Sequence, residues 1–130
     1  MKKPPRTLRE HAREIWQAGV DAVAPDRLIR SALRVRRARL EVGELSLPLD
    51  EINSIAVVGA GKAGAAMSRA VEAVLGERLM REHHLHGCVN VPDRCVVPLQ
   101  HIELHPARAK PDNQPTPAGV AGSRRIRGIA

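Results

Sequence analysis

The sequence contains no phenylalanine and no tyrosine, and Trp16 is its one tryptophan. A core must therefore be packed from Ala, Val, Leu and Ile. The scarcity of aromatics also argues against a base-stacking nucleic-acid surface, because none is interleaved among Arg34, Arg36, Arg37 and Arg39. No apolar run approaches the ~20 residues of a membrane-spanning helix. Met1-Lys2-Lys3-Pro4-Pro5 leads into no apolar signal-peptide segment, so a cytoplasmic location is expected. The two cysteines, Cys88 and Cys95, lack C-x-x-C spacing. They are expected as buried or partly buried thiols rather than a disulfide framework. His83, His84, His86 and Cys88 cluster, with Cys95, His101 and His105 further on. His86 and Cys88 would share one face of a strand and could in principle take zinc. The set has no standard ligand spacing, however, and exposed histidines at a helix exit explain it; no metal site is expected.

What is present fits one globular domain. Hydrophobic residues make up 43% and charged residues 27% of 130 positions, too apolar for a disordered chain. A chain of this length can bury roughly two-thirds of its unfolded surface. The net charge of +7 is local: residues 1–39 carry 11 of the 21 Lys and Arg but 4 of the 14 Asp and Glu, and the remainder is neutral. This basic segment reads as helical, with its arginines on a solvated face.

The chain is organised around residues 54–75. Ser54-Ile55-Ala56-Val57-Val58 is a short apolar run of the kind a buried parallel strand shows. Gly59-Ala60-Gly61-Lys62-Ala63-Gly64 follows, and then an amphipathic stretch from Ala65 to Leu75. Ala63, Ala66, Met67, Ala70, Val71, Val74 and Leu75 fall on one helical face, and Gly76 supplies a stop. Strand, glycine turn and helix are contiguous, the context in which G-x-G-x-x-G carries meaning. Gly59 allows the tight turn, Gly61 lets an anion approach the backbone, and Gly64 lets the helix pack close to the strand. With Ala60 and Lys62 these glycines form a candidate phosphate site at a helix N-terminus. A lysine charge there is worth roughly 4 kcal/mol at ~4 Å and an effective dielectric of ~20, before desolvation, against ~0.3–1 kcal/mol for an exposed helix end. The same glycines would also serve a plain strand-to-helix turn with Lys62 in solvent. No Walker loop is present.

Around this unit, Thr7-Leu8-Arg9-Glu10 is a capping box opening a helix whose face is Leu8, Ala12, Ile15, Trp16, Gly19 and Val23. Trp16 is expected to anchor packing between this helix and a second one opened by Pro25, with Leu28, Ile29, Ala32 and Leu33 inward. Leu40 to Leu49 alternates around Gly43-Glu44 as a hairpin. Further strands are expected at Leu85 to Val91 and His101 to His105, a loop over 106–117, and a last helix capped by Thr116 and opened by Pro117. Strand, helix, strand in this order predicts an α/β fold: a partial Rossmann-like parallel sheet with flanking helices, preceded by two N-terminal helices. The expectation is an incomplete N-terminal domain over 1–130, with a basic helical segment at 1–39, strand/helix units at 54–130 and a second catalytic domain absent. A homodimer or a partner is expected to cover the sheet edge.

On Ala56-Val57-Val58-Gly59-Ala60-Gly61-Lys62-Ala63, the helix exit Leu75-Gly76-Glu77-Arg78-Leu79 and Thr116-Pro117-Ala118-Gly119-Val120, the chain resembles the N-terminal part of the glycerate 2-kinase family. The resemblance implies ATP-dependent phosphorylation of the 2-hydroxyl of D-glycerate in a cleft between two domains, with magnesium accompanying the nucleotide. It makes Lys62 the functional lysine. The family's His-Pro-x-Pro-Asp run is interrupted here: His105-Pro106 and Pro111-Asp112 flank Ala107-Arg108-Ala109-Lys110. His105, Arg108 and Asp112 are accordingly secondary candidates, on a loop that could face a substrate carboxylate. The isolated chain is expected to be inactive. Two alternatives stand beside this reading. A nicotinamide-dinucleotide oxidoreductase would use the glycines, but Glu77 and Glu82 precede its expected ribose-binding position and Asp93 lies after Pro92. The other is a non-catalytic truncated paralogue or an interaction module that binds an anion or a partner protein, whose sign would be dimerisation covering the sheet edge.

Overall fold

A computed structural model of the protein describes residues 7–109 and 114–130. Two helices come first, α1 (Leu8–Ala22) and α2 (Pro25–Ala32), then a three-stranded antiparallel meander of β1 (Leu33–Arg36), β2 (Arg39–Val42) and β3 (Leu45–Pro48). The second sheet contains β4 (Ala56–Ala60), β5 (His86–Pro92) and β6 (Ile102–Arg108) in that order, all parallel. Helix α3 (Gly64–Glu82) links β4 to β5, and α4 (Pro117–Ile129) follows β6.

The two long helices lie on opposite faces of the parallel sheet. A Cβ at Gly64 would meet Val89 and Val91, whereas one at Gly122 would meet Asn90 and His105. Val89 and Asn90 are adjacent on β5, and adjacent strand residues point to opposite faces. The core forms on the α3 side, where Leu75, Leu79 and Met80 pack on Leu85, Val89, Val91, Ile102 and Leu104. Leu40 and Leu49 bring the meander into the same cluster. This is the α/β architecture expected from the sequence, with β4 and β6 as edge strands among the described residues.

Several local expectations also hold. Thr7 and Glu10 form the reciprocal capping box, Pro25 opens α2, and Thr116 caps α4 by accepting from the Gly119 N–H at 2.9 Å. Hydrogen bonds from Thr7 hold the Glu10 carboxyl below its ordinary pKa. The hairpin turns at Gly43, whose φ is 60°. Cys88 is buried, Cys95 partly buried, and both are free thiols.

Four expectations are corrected. The second helix stops at Ala32, and Leu33-Arg34-Val35-Arg36 is a strand, because its apolar and basic residues alternate with period two. Arg37 and Ala38, both at positive φ, turn it back onto β2. Trp16 anchors nothing among the described residues: it is 64% exposed, and α1 buries none of its residues. On α3 the buried face includes Ser68 and Glu72, while Met67 is 41% exposed. Finally, β6 runs through Pro106 to Arg108 where a loop was expected. An edge strand tolerates a proline because its outward N–H has no ladder partner to lose.

Candidate functional site

The carboxyl ends of β4, β5 and β6 and one face of α4 line an open cleft of about 760 Å³. This is the end of a parallel sheet where ligands bind in open α/β folds. The turn after β4 forms one side. Gly61 has φ 137°, a region strained for any residue with a Cβ, and its N–H donates to the Asn90 carbonyl at 2.9 Å. The Gly64 N–H closes the turn onto the Gly61 carbonyl at 3.1 Å. A Cβ at Gly64 would stand 2.7 Å from Val89 Cγ1, so the third glycine is required by the approach of helix to sheet. No side chain caps α3 at Ala63, which leaves first-turn N–H groups for an anion. Ala60, Gly61 and Lys62 line the cleft, and Lys62 is exposed; Gly59 and Gly64 shape the turn from behind.

Of the secondary candidates, Arg108 lines the cleft at the end of β6, and its backbone N–H donates to Asp93 at 3.1 Å. His105 is occupied elsewhere, its Nε2 donating to the Ala118 carbonyl at 2.9 Å, where it holds the start of α4. Asp112, like Lys110, lies outside the described residues. Asp93 directly follows β5, where a dinucleotide-binding domain places its ribose acid, but here its carboxylate accepts the Arg108 N–H. The histidine cluster is engaged by backbone: His83 Nδ1 lies 2.8 Å from the Ile52 carbonyl and His86 Nδ1 2.8 Å from that of His84. Among the described residues, no group of three or more His, Cys, Asp or Glu could hold a metal ion.

The opposite wall was not read from the sequence. Arg124 and Arg127 of α4 face the cleft, with Ser123 and Asn90 beside them. Their spacing of three places them on one helical face, a signal that needed the helix's orientation to be interpreted. Asn90 stands alone in an apolar strand, which in retrospect marks it. It is 8% exposed, donates to the Gly119 carbonyl at 3.1 Å and Ser123 Oγ at 3.4 Å, and leaves its own Oδ1 unpartnered. The described lining thus holds four cationic side chains, Lys62, Arg108, Arg124 and Arg127, and no carboxylate.

A parallel three-stranded sheet between two helix layers, with a glycine-rich strand-to-helix turn, defines a Rossmann-like α/β unit. Residues 11–130 match a family described as a domain of unknown function, DUF4147, and the chain belongs to that family. It is related to glycerate kinases: 34% identical over 86 residues to one from Danio rerio, covering 66% of this chain and 16% of that protein. A second, from Bos taurus, is 29% identical over 109 residues, 82% of this chain and 20% of that protein. The chain therefore spans a fifth or less of these relatives' length. In fold it is similar to the PH0495 protein from Pyrococcus horikoshii OT3, with a TM-score of 0.68, 19% identity, and 94% of this chain covering 25% of that one.

Proposed function

We propose that this chain forms the phosphate-facing part of a glycerate kinase-type active site, with Lys62 and the Gly59–Gly64 turn holding the transferred phosphoryl group. The observation that carries the reading is the cleft's charge: four cations converge on the carboxyl end of the sheet without a carboxylate among the described lining residues. The supporting relation is to glycerate kinases. Phosphoryl transfer asks a protein mainly for positioning and charge stabilisation. The uncapped start of α3 and the Lys62 ammonium supply both.

In this reading the reaction is ATP-dependent. The 2-hydroxyl oxygen of D-glycerate bonds to the terminal phosphorus, the bond to the ADP oxygen breaks, and the hydroxyl proton is released. An all-cationic donor set fits phosphate and carboxylate oxygens. It does not fit a resident magnesium ion, which takes oxygen ligands, so magnesium would arrive with the nucleotide and no step here is routed through it.

Calorimetry with inorganic phosphate, Mg·ATP and NADH tests the assignment. Phosphate-bearing ligands should bind, and Lys62→Ala should weaken them about tenfold. In a full-length glycerate kinase carrying this turn the same substitution should lower kcat/KM by more than about tenfold, roughly 1.4 kcal/mol of transition-state stabilisation. Binding of NADH alone, or phosphate affinity indifferent to Lys62, would refute the reading.

A further inference from the structure

Helix α4 presents Arg124 and Arg127 to the cleft on one face, and Arg108 reaches it from the end of β6. None of the three has an ion-pair partner among the described residues. Their neighbour Arg125 does: its guanidinium forks onto both carboxylate oxygens of Glu103 on β6, away from the cleft. One helix therefore carries a compensated arginine on one side and two uncompensated ones on another. Like charges around a shared cavity repel, and an anion entering it relieves that repulsion.

The helix is held so that these arginines stay in place. Asn90, buried in the sheet, donates to Gly119 and Ser123 of α4. The Thr116 hydroxyl donates to the Ala107 carbonyl at 2.5 Å. Gly122 permits the close approach, since a Cβ there would fall 1.8 Å from Asn90 Oδ1.

The two sides of the cleft also differ in kind. Lys62 is a compact point charge beside the uncapped start of α3, a setting suited to phosphate. Guanidinium groups are planar forks that match carboxylate and phosphate oxygens alike, and with phosphate placed at the Lys62 turn the arginines are left for a carboxylate. We propose that Arg124 and Arg127, with Arg108, form a second anion subsite that takes a carboxylate while the Lys62 turn takes phosphate. The ligand class is then a small molecule carrying both groups, a phosphorylated hydroxy acid that bridges the β4–α3 turn and α4. The position of its phosphate rests on the function proposed above; the arginine subsite is separately testable.

The test is calorimetry of the full chain with inorganic phosphate, D-glycerate and 2-phosphoglycerate. It compares wild type, Lys62→Ala, the double variant Arg124→Gln/Arg127→Gln, and Arg125→Gln as a control that removes a positive charge outside the cleft. Arg124 and Arg127 are exposed, and circular dichroism verifies that each variant is folded. The double variant should lose about tenfold or more in affinity for 2-phosphoglycerate and D-glycerate while keeping its affinity for phosphate. Lys62→Ala should do the reverse between phosphate and D-glycerate, and Arg125→Gln should change none of the three. Equal losses for all three ligands, or an equal effect from Arg125→Gln, would reduce the site to a diffuse positive field and overturn the proposal. D-glycerate binding that depends on the arginines, without any phosphate binding, would sink the Lys62 assignment and keep the arginine subsite. A wild-type chain that binds none of the three ligands would overturn both.

Discussion

Glu72 lies on α3 at 7% exposure, with its carboxylate turned to the start of β6. It accepts from the backbone N–H groups of Gln100, His101 and Ile102 at 3.0, 2.8 and 3.0 Å. Buried N–H groups that lose an acceptor incur desolvation without compensation, and bonds to a charged acceptor are among the stronger ones. Glu72→Ala should therefore destabilise the chain by about 3 kcal/mol in urea unfolding. Glu72→Gln, which keeps one acceptor oxygen for His101 and Ile102, should lose less. Equal stability of wild type and Glu72→Ala would show that the three amides find other partners. Little of this was legible in the sequence, since a glutamate in an amphipathic helix reads as a solvent-facing residue. Its partners lie 28 to 30 positions away, beyond any local pattern. The turn glycines were legible because their need is local: Gly61 for its dihedral angle, Gly64 for the short distance to β5.

At the scale of elements, α3 is two helical pieces joined at Gly76, where φ is 72° and ψ 160°. That conformation belongs essentially to glycine, and forcing a Cβ into it costs of order 1–3 kcal/mol. Nothing lies within 4 Å of a Cβ built there, so the strain is purely conformational. Gly76→Ala should lower stability by about 1–3 kcal/mol, read as a reduced midpoint of chemical unfolding. An unchanged midpoint would mean that the second piece, with Leu79 and Met80, can rotate without leaving the core. The stop at Gly76 could be read from the chain, as could the caps at Thr7 and Thr116, because these signals are confined to one turn. Strand β1 could not: four arginines between residues 34 and 39 resemble the outer face of a helix. The alternation of Leu33 and Val35 with Arg34 and Arg36 becomes decisive only with β2 alongside, as Arg34 stands opposite Glu41 and Val35 opposite Leu40. The cleft was half legible for a similar reason. One wall follows β4 directly in sequence, whereas Arg124 and Arg127 join it only when α4 folds back over β5 and β6.

For the whole molecule, the shortage of aromatics has an experimental side at alkaline pH. Burial pushes the Cys88 thiol above its ordinary pKa; the Arg125 guanidinium opposes this and the Glu103 carboxylate adds to it. The unfolded chain then ionises this thiol at a lower pH than the folded chain does. Stability from the protonated thiol is complete below the ordinary thiol pKa and declines as pH rises from there towards the raised folded value. With no tyrosine to titrate in the same range, urea midpoints taken across mildly to strongly alkaline pH should fall, and fall less in Cys88→Ala. A parallel decline in both proteins would assign the effect to other groups.

The exposed position of Trp16 turns the same composition into an optical property. All of the chain's aromatic fluorescence arises from one indole on α1, a helix that buries none of its residues. Emission should already be red-shifted in the native protein and should change little as the parallel sheet melts, while far-ultraviolet circular dichroism records the transition. The indole is instead placed to report on contact: whatever settles on the Leu8, Ile15 and Trp16 stripe should shift its emission to the blue, against a background that folding itself leaves dark.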